Sequence, residues 1–459
     1  MKLIDLSIKN CKIVSPSGII SGGVAIEGGK IVAVVKENNL PKADKVIDAG
    51  GNYLIPGVVD PHSHLSAKKT NDMKREYGET IKTETASAAA GGVTTLFSTT
   101  TWFSIEETAK IIDQNSMIDM AFHKGVRNDQ HLKEIPKSVN LGVTSFKSLL
   151  IGYPKYGVFP VDDGLIYAAL KAVRDLGYPA IELVHCENLP IINRIQKRLI
   201  EEGRTDFLAW YDSRPSFCEE EAMRRVMFLA ETLNAPLYIP HMTIKEGVRL
   251  VAEQKAKGLT VIAESCPHHL TLTKHEKKGW LAKVTPPLRD KEDIDALWKG
   301  IRDGIIECVG SDHVPLTVKD KKLGTDIWDI HGAGFPGTET LLPIMLSEGV
   351  NKGRISFERL VEVCCHNPAK VFGIFPKKGV IQVGSDADLV IVDLNKEVKV
   401  TPEILHSASD FTIYEGWRLK GWPIMTIFRG NVVMEDGDVV DKPRFGKYLH
   451  RKLLKKANT

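Results

Sequence analysis

Between residues 57 and 375 the chain alternates short β-branched or apolar runs with longer stretches of helical period. The runs cover residues 58–60, 94–100, 117–126, 143–150, 179–188, 235–242, 259–267 and 307–313. Of the segments between them, 165–176 puts Leu165, Ala168, Ala169, Ala172 and Leu176 on one helical face, and 219–233 is amphipathic too. A strand-then-helix rhythm makes neighbouring strands parallel, and eight units close into a barrel. A doubly wound open sheet is the alternative, but no glycine-rich phosphate loop follows the first run.

The flanks have a different texture. Residues 5–14 alternate with period two, and 22–35 read as a hairpin around Gly28-Gly29. β texture returns over 378–393 and 427–433. Chain ends often lie close together. The expected fold is therefore α/β: a TIM-like (β/α)8 barrel over 57–375, with a second, smaller β-sandwich domain built from 1–56 and 376–440. A basic tail, 441–459, follows, and its amphipathic stretch 448–456 reads as a helix that is solvated or contacts another subunit.

Catalytic groups of such a barrel project from the C-terminal ends of its strands. There the chain sets one unusual polar residue after another. The first run opens into His62 and His64, two apart and so on one side of an extended chain. The fourth carries Lys147 in an otherwise apolar run, the fifth ends at His185, the sixth at His241, and the eighth at Asp312-His313. Singly, each has a bland reading as a hydrogen-bonded or turn residue. Together they describe converging imidazoles and a carboxylate, the ligand types of a metal centre. An ammonium among them would repel a cation and be costly to bury. A buried lysine can instead be a neutral amine, which adds carbon dioxide to become an anionic carbamate able to bridge two metals.

Composition narrows the function classes. Sixty-one basic against 58 acidic residues leave a net charge of +3, so neither nucleic acid nor a membrane surface is expected as partner. Seven scattered cysteines without CxxC spacing point to reduced thiols in the cytoplasm. No apolar leader segment or run of about 18 apolar residues is present. Cys186 and Cys266 are read as core residues.

These motifs resemble the amidohydrolase superfamily, in its cyclic-amidase branch of hydantoinases, dihydropyrimidinases, allantoinases and dihydroorotases. The resemblance runs through Pro56-Gly57-Val58-Val59-Asp60-Pro61-His62-Ser63-His64, Ser145-Phe146-Lys147, His185-Cys186-Glu187-Asn188, His241, Glu264-Ser265-Cys266-Pro267-His268-His269-Leu270 and Gly310-Ser311-Asp312-His313. The stretch Thr285-Pro286-Pro287-Leu288-Arg289-Asp290 is similar to hydantoinases and dihydropyrimidinases in particular. The resemblance implies that His62, His64 and Asp312 bind one metal and His185 and His241 the other. It implies that Lys147, as N6-carboxylysine, bridges both, together with a hydroxide. That hydroxide would attack the carbonyl of a cyclic amide, imide or ureide, while Asp312 takes its proton and hands it to the leaving nitrogen. Two divalent ions are implied, zinc first, with manganese, cobalt or iron as other choices for such nitrogen and oxygen ligands. A homotetramer is implied as well.

The substrate-facing layer departs from the branch. Dihydroorotases carry an arginine two residues after the histidine pair, where this chain has Ser66 followed by Lys68-Lys69. The tyrosine expected five residues after the lysine, which binds the oxyanion, falls on Gly152, with Tyr153 one later. Tyr153 is the substitute if the loop shifts. Ala333 stands where hydantoinases have an asparagine before Gly334-Phe335-Pro336-Gly337, and Thr285 matches a position whose backbone meets the substrate. The competing readings are an allantoinase or dihydroorotase-like ring hydrolase, and a non-catalytic barrel scaffold, which would lose ligands. A mononuclear deaminase would lack the lysine.

Overall fold

The computed structural model describes residues 3–65, 72–100, 103–152, 158–321, 326–328, 332–440 and 445–454. Each of the eight runs holds a strand: β1 (Val58–Ser63), β2 (Val93–Thr100), β3 (Asp119–Gly125), β4 (Ser145–Leu149), β5 (Ile181–His185), β6 (Leu237–Ile239), β7 (Val261–Ser265) and β8 (Cys308–Val309). Successive strands pair in parallel from β1 to β8. The ring is completed where Ser63 bridges His313 and the His64 N–H donates to the His313 carbonyl at 2.7 Å. The fold is thus a parallel eight-stranded barrel, as the alternation requires.

Buried Asp60 fastens the same seam. Its carboxylate accepts from the Ser311 N–H (3.0 Å), Ser311 Oγ (2.6 Å) and Thr338 Oγ1 (2.9 Å). Four donors, counting the His62 N–H at 3.2 Å, satisfy a carboxylate that would otherwise be costly to bury.

Helices cover the outside. Asp163–Leu176 is capped by Asp162, which accepts from the Leu165 N–H at 2.9 Å. Its buried face is Ile166, Ala169, Leu170 and Val173; of the expected stripe Ala169 is buried, while Leu165, Ala168, Ala172 and Leu176 are half-buried at its flank. The two stripes are equally apolar, so periodicity alone does not choose between them. Ser216–Leu233, Lys245–Ala256 and Lys291–Arg302 bury their apolar sides in the same manner.

The two chain ends combine in one nine-stranded mixed sheet. Its junction is Tyr53–Pro56, which runs antiparallel to Leu389–Lys399 and parallel to Ile4–Ser15. An apolar core of its own contains Ile8, Val24, Leu54, Leu389 and Ile427. Lys378 ties this sheet to the barrel: its ammonium meets Asp119 at the start of β3 (2.8 Å), Asp386 (2.9 Å) and Asp388 (2.5 Å). Burial opposes that charge, and the three carboxylates outweigh it.

The tail departs from expectation. Residues 445–454 form no helix but an extended segment laid across the N-terminal ends of the barrel strands. Leu449 and Arg451 are buried while His450 and Lys452 are exposed. That is a period of two, which a short basic stretch can satisfy as readily as a helical one.

Candidate metal centre

All six residues expected to bind metal lie at the C-terminal end of the barrel. His62 is on β1, Lys147 on β4 and His185 at the end of β5, while His241 and Asp312 lie just past β6 and β8. His62 Nε2 is 2.5 Å from Lys147 Nζ, 3.2 Å from His64 Nε2 and 3.4 Å from Asp312 Oδ1. Asp312 Oδ1 is also 3.1 Å from His64 Nε2. His185 Nδ1 and His241 Nε2 face each other at 3.0 Å. The two groups adjoin, since the His62 and His241 ring centroids are 5.2 Å apart.

Carboxylates that the sequence reading left without a role orient these rings. Glu264 on β7 accepts from His62 Nδ1 at 2.8 Å, from the His241 N–H at 3.1 Å and from the Tyr238 hydroxyl at 2.7 Å. Glu187 accepts from His185 Nε2 at 2.7 Å and from Arg214 Nη1 at 2.8 Å. A ring nitrogen that donates to a carboxylate leaves its partner nitrogen as a bare lone pair, the state a metal ligand needs. For His62 that lone pair is Nε2, and for His185 it is Nδ1. The signal was present in the sequence as glutamates inside or just past buried strands, where an unpaired carboxylate is rare.

Electrostatics support neutral imidazoles. Burial pushes His185 and His241 below the ordinary histidine value. Burial would raise Asp312, but His62, His64 and His241 outweigh it and hold its carboxyl well below the usual range. Burial would likewise raise Glu187, and Arg214 and His185 bring it down to about 2. Lys147 is pushed down to about 8, chiefly by burial, so its neutral amine is accessible near neutral pH.

Local backbone serves the same end. Gly310 leads from β8 into Asp312, and a Cβ there would come within 2.8 Å of the Glu264 carboxylate and 3.1 Å of His62 Cβ. His241 and Asp312 have φ of 39° and 49°, a region that side-chain-bearing residues seldom adopt. Such strain persists where the surroundings over-determine it, as Glu264 does at His241.

The donor set fits a divalent-metal site: His62, His64 and Asp312 place ligand atoms within 4.8 Å of one another. Cys266, His268 and His269 form the other such group among the described residues. There burial drives the Cys266 thiol well above its ordinary value, so it stays protonated and reads as core. Cys186 is also buried and protonated, packed among the helix-facing apolar side chains. Thr285 is buried beside Pro286, whose carbonyl lies 3.2 Å from His269 Nε2. Tyr153, Ser66 and Lys68-Lys69 lie outside the described residues. Among the described residues no helix is long and apolar enough to cross a membrane.

Comparison with known proteins agrees with this fold. The pattern described as "Amidohydrolase family" matches residues 53–433, and "Allantoinase, composite domain" matches 7–51. An L-hydantoinase of Paenarthrobacter aurescens is 37% identical, covering 98% of this chain and 99% of the relative. A D-hydantoinase of Ralstonia pickettii is 35% identical, covering 98% of this chain and all of the relative. Among solved structures, L-hydantoinase (dihydropyrimidinase) from Arthrobacter aurescens superposes with a TM-score of 0.91 at 36% identity, over 98% of this chain and 100% of that one. Dihydropyrimidinase from Brevibacillus agri NCHU1002 superposes with a TM-score of 0.89 at 33% identity, over 98% of this chain and 99% of that one.

Proposed function

This chain belongs to the amidohydrolase family, in the branch of hydantoinases and dihydropyrimidinases, and we propose that it opens the C–N amide bond of a cyclic amide, imide or ureide. The family is metal-dependent. In this reading His62, His64 and Asp312 hold one divalent ion, His185 and His241 the other, and Lys147 bridges them as its carbamate. Zinc is the first choice for such ligands, with manganese, cobalt or iron as alternatives. When bound, the ions supply a water acidified to near neutral pH and polarise the ring carbonyl.

The protein's own groups supply the rest. Glu264 and Glu187 fix the tautomers of His62 and His185. Asp312, kept ionised, is the base that receives the proton of the attacking water and returns it to the departing ring nitrogen, without which an amide nitrogen leaves poorly. Thr285 and Tyr153 are the candidate contacts to the ring. The carrying observation is the convergence of His62 Nε2, His64 Nε2, Asp312 Oδ1 and Lys147 Nζ at 2.5–3.4 Å.

The division into a barrel over 57–375 and a β unit from 1–56 with 376–440 belongs to the same reading. So do a cytoplasmic, homotetrameric enzyme, for which light scattering is the test of assembly, and a tail that begins at 441. A second reading, allantoinase, is favoured by the match of residues 7–51 and by an allantoinase of Solibacter usitatus at 32% identity.

The test is a panel of hydantoin, dihydrouracil, succinimide, allantoin and dihydroorotate, given to chelator-stripped and metal-reloaded protein. Ring opening of hydantoin or dihydrouracil that returns only with metal is expected. Turnover of allantoin alone selects the second reading. No turnover of any ring by metal-replete protein overturns both and favours a scaffold.

A further inference from the structure

The barrel floor holds an unusual charge. Arg451 is buried, yet among the described residues none of its hydrogen bonds goes to a carboxylate. Its guanidinium donates from Nη1 to Ser145 Oγ (2.9 Å) and from Nη2 to the Phe122 carbonyl (2.8 Å), and it lies over the Phe97 ring at 5.2 Å. Burying an arginine without a counter-ion is costly, so its placement needs a reason beyond filling space.

The chain is built to bring it there. The Lys447 carbonyl accepts from the Met120 N–H at 3.0 Å, the Leu449 N–H donates to the Met120 carbonyl at 2.8 Å, and the Arg451 N–H donates to the Gly142 carbonyl at 3.1 Å. Any Cβ at Gly446 would lie 2.0 Å from the Ile118 carbonyl oxygen, and one at Gly142 would lie 2.7 Å from His450 Cα. Two glycines therefore permit the close approach.

From Arg451 a hydrogen-bonded line climbs the barrel interior. Arginine can only donate, so Ser145 Oγ accepts from it, and because the Pro61 carbonyl beyond His123 can only accept, the Ser145 proton turns to His123 Nδ1, 2.7 Å away. His123 then carries its proton on Nε2 and donates it to the Pro61 carbonyl at 2.9 Å. The two anchor points flank the metal centre in sequence. Pro61 immediately precedes His62, and Ser145 lies two residues before Lys147 on the same face of β4.

We propose that Arg451 is a positioning residue for the metal centre. It holds the Ser145 hydroxyl in the Ser145–His123–Pro61 line and so sets where β1 and β4 present His62 and Lys147. This rests on the reading of those two side chains as ligands. Without the guanidinium, the Ser145 hydroxyl is free to turn from His123 Nδ1, the imidazole loses the partner that seats it against the Pro61 carbonyl, and β1 shifts away.

The experiment uses the full-length chain with nitrogen-15-labelled histidine, comparing wild type, Arg451→Ala, Arg451→Lys and Ser145→Ala. Wild type is expected to show His123 as the Nε2–H tautomer. Arg451→Ala and Ser145→Ala are expected to keep the proton on Nε2 but to move the His123 Nδ1 resonance to that of a nitrogen without a donor, and to bind zinc about tenfold more weakly, the usual cost of losing an outer partner. Guanidinium chloride at low millimolar concentration should restore both readouts in Arg451→Ala. The lysine variant should recover little, since one ammonium does not span Ser145 and Phe122. If Arg451→Ala does not fold, Ser145→Ala carries the test with the floor still filled. A drop in melting temperature alone, with the His123 Nδ1 resonance and zinc affinity unchanged, overturns the proposal and makes the tail only a stopper. Both readouts are free of substrate. A wild type that binds metal but opens no ring sinks the substrate reading and leaves this one standing.

Discussion

Glu264 Oε1 accepts from His62 Nδ1 at 2.8 Å across the barrel interior, and this contact decides which face of the imidazole is available. With Nδ1 engaged, Nε2 is the nitrogen turned toward Lys147, His64 and Asp312. The same carboxylate holds the His241 backbone and the Tyr238 hydroxyl, so one side chain serves both halves of the site.

Glu264→Gln keeps the shape and removes the charge. It is expected to lower metal affinity or activity by about 10–100-fold, the range for partners that orient a ligand. Metal titration followed by activity at saturating metal separates the two effects. Wild-type affinity together with wild-type turnover in this variant would show that Glu264 orients nothing of consequence.

Asp60 has a structural role with a functional result. Asp60→Ala would strand the donors at the Ser311 N–H, the His62 N–H and Thr338 Oγ1 that close the barrel seam beside Asp312. Each buried unsatisfied donor costs about 1–3 kcal/mol, so a loss of about 3 kcal/mol or more is expected from urea unfolding of the metal-free protein. A loss below about 1 kcal/mol would mean that the seam does not depend on this carboxylate.

How far the sequence reading reached follows from the kind of signal each residue sends. The barrel is legible because eight strand–helix repeats leave few topologies, and the six positions read as ligands are legible because imidazole, amine and carboxylate recur at strand ends. Glu264 and Glu187 show no role in the sequence alone. Their function lies in a hydrogen bond to a ring more than 200 residues away in one case and two residues away in the other, and spacing does not reveal tautomers. Residues 448–454 depart from the helix that their sequence suggests for a different reason. Leu449 and Arg451 alternate with period two, and the charge of Arg451 argued for solvent, whereas its partners are Ser145 and the Phe122 carbonyl.

Lys147 gives a pH prediction. A lysine held at about 8 instead of 10.5 keeps about one amine in ten neutral at pH 7, against about one in three thousand at the ordinary value. Only the neutral amine adds carbon dioxide. Because the folded value is depressed, reactivation of metal-stripped protein by zinc at a fixed concentration of dissolved carbon dioxide should quicken as pH rises toward 8 and level off above it. Stopped activity assays after timed reactivation read this directly. A rate still climbing unchanged through pH 10 would place the amine in a solvent-like setting.

Lys147→Ala should lose more activity than the 10–100-fold typical of an outer partner, because a bridging group is removed. Acetate or propionate in the assay should restore part of it by lending a carboxylate to the vacated space. Absence of rescue, with one tightly held ion remaining, would favour a mononuclear site.

The central claim is that a carbamate on Lys147 lets this barrel hold a pair of ions. Elemental analysis of purified wild type and Lys147→Ala, each grown with zinc and freed of loosely bound metal, tests it most directly. The account predicts close to two divalent ions per wild-type chain and one or none in the variant without acetate. Equal metal content in the two proteins, or none in the wild type, would contradict it.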